Sequence, residues 1–195
     1  FSKPPAQNSP VDMSFVMSWL QENLDDDVVI SNGAGNFSLW PNKCFLFGKN
    51  QKLLAPQSGA MGYGLPAAIA AAVENKLRQV ICFAGDGDIQ MGLSELGTAV
   101  QAGLKIIVIV LNNNSYGTIR MHQEKFYPGR VSGTSLENPD FAKIANSWGM
   151  YGKKVEKTEQ FPEVFKEAQK SSKGALIDLK INVDAISPYK NLSSI

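Results

Sequence analysis

Asp86 and the amide run Asn112–Asn114 are the residues of this 195-residue chain best placed to do chemistry together. Asp86 stands just past an apolar stretch, Val80 to Ala84, and the amides close a second one, Ile106 to Leu111. Asp86 and Asn113 are 113 − 86 = 27 positions apart, room for one crossover helix and a strand. In a parallel βαβ unit, strand ends joined by one such crossover sit side by side at the carboxyl edge of the sheet, where open α/β folds bind ligands. A carboxylate oxygen, an amide oxygen and a nearby backbone carbonyl then form a hard, all-oxygen donor set. Magnesium accepts such a set, using one or two carboxylates and leaving its other positions to water and phosphate. The occupant expected at that point is Mg²⁺ carrying a diphosphate.

The elements that must position these residues alternate. Ser9-Pro10 with Asp12 reads as a helix start, and the helix runs to about Leu24. Asp27 to Ile30 is a short buried strand leading into the turn Ser31 to Gly35. A loop over Pro41 to Asn50 precedes a second glycine-rich turn, Ser58 to Pro66, and an Ala-rich helix from Ala67 to Val73. The strand to Ala84, a helix from about Ile89 to Ala102 and the strand Lys105 to Leu111 follow. Asn138-Pro139 is expected to cap a helix ending near Trp148, and Thr158 one ending near Lys170, before a last strand over 174–183. Several strands are continuous apolar runs, which marks a parallel sheet covered on both faces. The expected fold is α/β, a doubly wound, mainly parallel sheet with helices on both faces. Residues 1–10 read as a Pro-rich linker remnant, 11–185 as the domain and 186–195 as a tail.

Composition narrows the function. With 44% hydrophobic and 19% charged residues and a net charge of +1, the chain offers no basic field for nucleic acid or an anionic membrane. Cys44 and Cys82 form no zinc-type cluster, and a reduced cytoplasmic setting is expected. The turn Asn32-Gly33-Ala34-Gly35-Asn36-Phe37 has the strand–turn–helix form of a phosphate loop. It nearly matches a dinucleotide fingerprint, but Ser38 replaces the third glycine and QKLLA (51–55) lacks the expected acid. The amides of Gly87, Asp88 and Ile89, following Gly85, open a helix and are free to face a phosphate. Asp88 would repel that phosphate, so it is expected to turn away or to cap its own helix. A dinucleotide-binding protein and a non-catalytic assembly domain are the alternatives of other classes.

GDG at 85–87, about two dozen residues and then Asn112-Asn113, bracketing strand–helix–strand, resembles the signature of thiamine-diphosphate-dependent enzymes. Glu95-Leu96 and Leu111-Asn112-Asn113 look most like the acetolactate synthase and 2-oxoacid decarboxylase branch, and the resemblance runs from about Val11 to Val183. It implies the thiamine-diphosphate-binding fold, with thiamine diphosphate and Mg²⁺ as cofactors. It implies Asp86, the Asn113 side chain and the Ser115 carbonyl as metal ligands, with Asn112 structural. The turn Gly33, Ala34, Gly35, Asn36 would lie beside the diphosphate, with Tyr116 also at the cofactor. In the second turn, Gly59, Ala60 and Met61 would hold the pyrimidine: the Gly59 carbonyl accepts from its 4′-amino group, the Met61 amide donates to its ring, and the Met61 side chain props the cofactor bent.

The chain departs from the pattern at Asp88, where many relatives carry Ser, and at His122, where acetolactate synthases place Trp. His122 reads either as a partly exposed helix histidine or as a proton donor or acceptor near the reacting carbon. Arg120 and Arg130 read as surface charges or as partners for a substrate carboxylate, and Glu95 as a structural residue one or two turns into the crossover helix. The implied activity is decarboxylation of a small 2-oxoacid, with or without addition to a second carbonyl (lyase or transferase). The glutamate facing the pyrimidine N1′ would come from a separate pyrimidine-binding domain, usually of a neighbouring subunit. The chain alone is therefore expected to be inactive, and its enzyme to be a homodimer or larger.

Overall fold

The computed structural model describes residues 4–195. Six strands, β1 (Val29–Asn32), β2 (Lys52–Leu54), β3 (Val80–Gly85), β4 (Ile106–Asn112), β5 (Tyr151–Val155) and β6 (Ala175–Lys180), form one sheet in the order β2-β1-β3-β4-β6-β5. Every pairing is parallel. Eight α-helices flank it: α1 (Met13–Asn23), α2 (Leu39–Cys44), α3 (Gly64–Glu74), α4 (Asp86–Ile89), α5 (Glu95–Gln101), α6 (Gly117–Phe126), α7 (Phe141–Ser147) and α8 (Phe161–Lys170).

The central strands are buried along their length because each face carries its own core, and successive side chains serve opposite faces. Ile81, Phe83, Ile107, Ile109 and Ile177 pack against Val16 and Leu20 of α1, Trp40 of α2 and Phe161 and Phe165 of α8. Val80, Cys82, Ala84, Val108 and Val110 pack against Leu65 and Ala68 of α3, Leu96 of α5 and Phe141 of α7. The sheet is thus doubly wound, as expected. Cys82 is a core residue whose thiol burial pushes up to about 12, so it is an inert small hydrophobe. No helix among the described residues is long and apolar enough to cross a membrane.

Several boundaries differ from the sequence reading. Helix α1 begins at Met13, because the Asp12 carboxylate accepts from the Ser14 amide at 2.8 Å. Ser9 instead takes its hydroxyl to the Asn182 amide, 3.0 Å away. Strand β1 runs two residues further than expected, so Ser31 and Asn32 are its end rather than the turn. The helix expected from about Ile89 to Ala102 begins only at Glu95, as α5, after the separate short α4 and a break. Gly92 lies in the break, and Met91 there packs so close to Gly62 that a β-carbon on Gly62 would lie 2.8 Å from the Met91 Cβ. Asp140 rather than Asn138 caps α7, accepting from the Lys143 amide at 2.9 Å. The Thr158 region forms a short 3₁₀ turn before α8 starts at Phe161, and its hydroxyl accepts from the Asp12 amide.

Strands β2 and β5 were not anticipated. Both are edge strands, β2 only three residues long, and β5 reads YGKKV, a polar pattern that guards an edge against pairing with another chain. At the termini, the Gln7 side-chain amide donates to the Ser187 carbonyl at 2.7 Å, so residues on either side of the domain meet. The first three residues of the expected linker lie outside the described residues.

Candidate functional site

The strand order reverses direction at β1: β2 lies to one side of it and β3 to the other. Ligands of open α/β sheets bind at the carboxyl ends of strands beside such a reversal. Gly85 of β3 stands opposite Leu111 of β4, so Asp86 and Asn113 leave the sheet side by side. A cavity of about 260 Å³ opens there. The first glycine-rich turn contributes Ala34, Gly35 and Asn36, and the second contributes Gly59 and Met61. Gly85, Asp86, Gly87 and Asp88 line its floor, with Asn113, Ser115 and Tyr116 opposite. Its apolar wall, which includes Trp40, Ile181 and Ile186, had no signal in the motif spacing.

Three residues expected at the cofactor do not line this space. Gly33 is buried beneath Asp88, Ala60 is exposed, and Ile89 packs in the core beside α3 and α5. Met61 is half-buried in the cavity wall and belongs to neither core cluster, so it is not mere core filling. Gly59 has a φ of +66°, a left-handed conformation that glycine adopts without strain. A β-carbon on Gly87 would lie 2.5 Å from the Tyr116 ring, so the floor of the cavity admits only glycine there without a shift of that ring.

Asp86 is 3% exposed. Its Oδ2 accepts from the Asn138 side-chain amide at 2.7 Å and its Oδ1 from the Gly87 amide at 3.0 Å. Burial pushes its carboxyl up, while Asn138 and the Gly87, Asn114 and Ser115 amides pull against that shift. No Lys or Arg pairs with it among the described residues. A buried carboxylate supplied with hydrogen bonds but no counter-ion is a place where a cation relieves the desolvation cost. No cluster of three His, Cys, Asp or Glu side chains able to hold a metal occurs among the described residues. A cation here would therefore take amide and carbonyl oxygens besides Asp86, the hard donor set of magnesium.

The turn that presents those oxygens is braced. The Asn113 Oδ1 accepts from the Ser115 amide at 3.0 Å. Asn114 takes a left-handed φ of 54°, which Asn tolerates better than most residues. Residues 134–138 hold the turn from outside: the Tyr116 amide donates to the Thr134 carbonyl and the Leu136 amide to the Asn114 carbonyl, both at 2.9 Å. The Asn138 Nδ2 lies within 3.0 Å of Asp86, Asn112 and Asn114 side-chain oxygens at once. Gln90 donates to its Oδ1 at 3.0 Å and so fixes which way the amide faces. Asn112 in turn donates to buried Asp178 at 3.0 Å, a structural role as expected. Sequence reasoning does not find Asn138 as a site residue; its only local signal, Asn before Pro, points to a helix cap.

Of the two expectations for Asp88, turning away or capping its own helix, the cap is overturned. It caps no helix of its own; its Oδ1 accepts from the Gly62 amide at 2.9 Å and from the Ala34 amide at 3.2 Å. The remaining candidates stand apart from the cavity. Exposed His122 stacks on Phe126 with ring centroids 6.1 Å apart. Arg120 pairs with Glu124 and Arg130 lies over the Tyr127 ring. Glu95 is the first residue of α5, not a turn or two into a longer helix, and accepts from the Thr98 hydroxyl at 2.7 Å.

This fold and site define a class: α/β domains that bind a phosphorylated cofactor at the carboxyl edge of a parallel sheet. Residues 33–179 match the family described as "Thiamine pyrophosphate enzyme, C-terminal TPP binding domain", and the chain belongs to that family. Thiamine pyrophosphate is thiamine diphosphate. The chain is 32% identical over 180 residues to the acetolactate synthase large subunit of Parasynechococcus marenigrum, covering 91% of this chain and 29% of that one. It is 34% identical over 182 residues to the mitochondrial acetolactate synthase catalytic subunit of Saccharomyces cerevisiae, covering 93% and 26%. It is 40% identical over 128 residues to the acetolactate synthase large subunit of Haemophilus influenzae, covering 65% and 22%. The chain thus spans less than a third of the length of these relatives. The match disfavours the dinucleotide and assembly-domain alternatives.

Proposed function

We propose that this chain is the diphosphate-anchoring part of an acetolactate-synthase-like 2-oxoacid decarboxylase or carboligase. The observation that carries the reading is the convergence of buried Asp86, which has no Lys or Arg partner among the described residues, with Asn113 and Ser115 in one cavity whose other wall holds Gly59 and Met61. Mg²⁺ would be held by the Asp86 carboxylate, the Asn113 Oδ1 and the Ser115 carbonyl. The Gly87 and Asp88 amides, at the start of α4, would face the diphosphate oxygens. The Gly59 carbonyl and the Met61 amide would orient the pyrimidine, and the Met61 side chain would hold the cofactor bent. When bound, thiamine diphosphate supplies the electron sink for loss of CO₂ from a 2-oxoacid. The apolar side chains of Trp40 and Ile186 would border that centre.

A pyrimidine-binding domain outside these residues supplies the contact to the far edge of the cofactor ring, in a cytoplasmic homodimer or larger assembly. The chain by itself is then inactive and binds cofactor weakly. Calorimetric titration of thiamine diphosphate into the full-length protein tests the anchor. Mg²⁺-dependent binding is expected, lost with EDTA and in Asp86→Ala. Binding that survives both treatments would overturn the assignment.

A further inference from the structure

Asp88 has a geometry that the metal site does not require. The residue is 3% exposed, and no Lys or Arg pairs with it among the described residues. Keeping a carboxylate there opposes folding unless it is fully hydrogen-bonded. Its Oδ1 is shared by two backbone amides from different segments, Ala34 after β1 and Gly62 before α3. Both segments are shaped around it. A β-carbon on Gly33 would lie 2.0 Å from the Asp88 Oδ1, and Gly62 holds a φ of +79°, where other residues are strained. The elements flanking the two turns also touch: the Ser31 hydroxyl, at the end of β1, donates to the carbonyl of Gly64, the first residue of α3, at 2.8 Å.

We propose that Asp88 is a positioning residue that ties the two glycine-rich turns together and thereby sets Met61 against the cofactor. The inference rests on the thiamine diphosphate site proposed above. Gly62 follows Met61 directly, so its bond to Asp88 fixes the backbone whose amide and side chain would meet the pyrimidine. The same oxygen fixes Ala34, which lines the diphosphate end. One side chain thus holds the spacing between the two ends of the site. An Asn side chain can keep the accepting oxygen where the carboxylate has it. The shorter Ser hydroxyl cannot reach both amides, and Ala reaches neither.

The test compares wild type, Asp88→Asn, Asp88→Ser and Asp88→Ala in the full-length protein. Three readouts are needed: Kd for thiamine diphosphate at saturating Mg²⁺, melting of the cofactor-free protein, and hydrogen exchange at the Ala34 and Gly62 amides. In Asp88→Ala and Asp88→Ser, exchange at both amides should accelerate at least tenfold and Kd should weaken at least tenfold. Asp88→Asn should stay within threefold of wild type on both. Should Asp88→Ala not fold, the Ser and Asn variants carry the comparison. Lower melting with unchanged Kd would make Asp88 merely structural and overturn the inference alone, as would equal Kd in all variants. A wild type that binds no thiamine diphosphate would remove the proposed function, and this inference with it.

Discussion

Removing the Asn138 side chain is the perturbation whose effect follows most directly from the geometry. Its Nδ2 carries two hydrogens and faces three oxygens, of which Asp86 Oδ2 is the nearest at 2.7 Å. Asn138→Ala therefore deletes one hydrogen bond to a charged acceptor and one to a neutral one; the bond that Gln90 donates to its Oδ1 is lost as well, but it is exposed and water replaces it. The first is worth roughly 1.5–3 kcal/mol and the second roughly 0.5–1.5, together roughly 2–4.5 kcal/mol. In a domain of this size each kcal/mol moves the melting temperature by about 2–4 °C, so a fall of about 4–18 °C is expected. Thermal unfolding in EDTA, without cofactor, reads it out. A double-mutant cycle with Asp86→Ala isolates the pair, and a coupling of roughly 1.5–3 kcal/mol is expected for the charged bond. Additivity within about 0.5 kcal/mol would show that Asn138 does not hold Asp86, and the argument built on that contact would fail.

Two further outcomes follow from burial. Desolvation raises the Asp88 carboxyl from an ordinary 3.8 to about 6. Between those values the folded protein binds more protons than the unfolded chain, so this contribution is fully present below about pH 4 and lost as pH rises through 6, roughly 3 kcal/mol in all. Asp86 and Asp178 are raised in the same direction, so urea unfolding in EDTA should show stability falling from pH 4.5 to 7.5. Asp88→Asn should flatten that fall, and an unaltered slope would contradict the assignment to Asp88. Far from the site, a β-carbon on Gly152 would lie 2.0 Å from the Ala142 carbonyl oxygen. Gly152→Ala should push α7 off β5 and destabilise by roughly 1–3 kcal/mol, while the Kd for thiamine diphosphate stays unchanged.

What the sequence disclosed followed from how local the signal was. β3 and β4 announce themselves as unbroken apolar runs because both faces of each are covered, and the residues just past them, Asp86 and Asn113, inherit their placement from the strands. The edge strands β2 (KLL) and β5 (YGKKV) carry no such run: the first is only three residues long and the second is largely polar, since each pairs with the sheet on one side only. Asn138 meets Asp86 across 52 residues, and nothing near Asn138 in the chain marks that contact. Of the two expectations for Asp88, the cap fails for the same reason: the local rule for an acid at a helix start is a cap, but two glycine turns from elsewhere in the chain claim the carboxylate. His122 shows the limit of proximity in sequence, because α6 turns it outward six residues after Tyr116, which lines the cavity.

A crystal structure of the full-length protein grown with thiamine diphosphate and Mg²⁺ decides where the cofactor is anchored. Expected are metal–oxygen distances of about 2.0–2.1 Å to the Asp86 carboxylate, the Asn113 Oδ1 and the Ser115 carbonyl, with the diphosphate over Gly87. A metal held by other residues, or a diphosphate seated away from that turn, would contradict the site assigned to this chain.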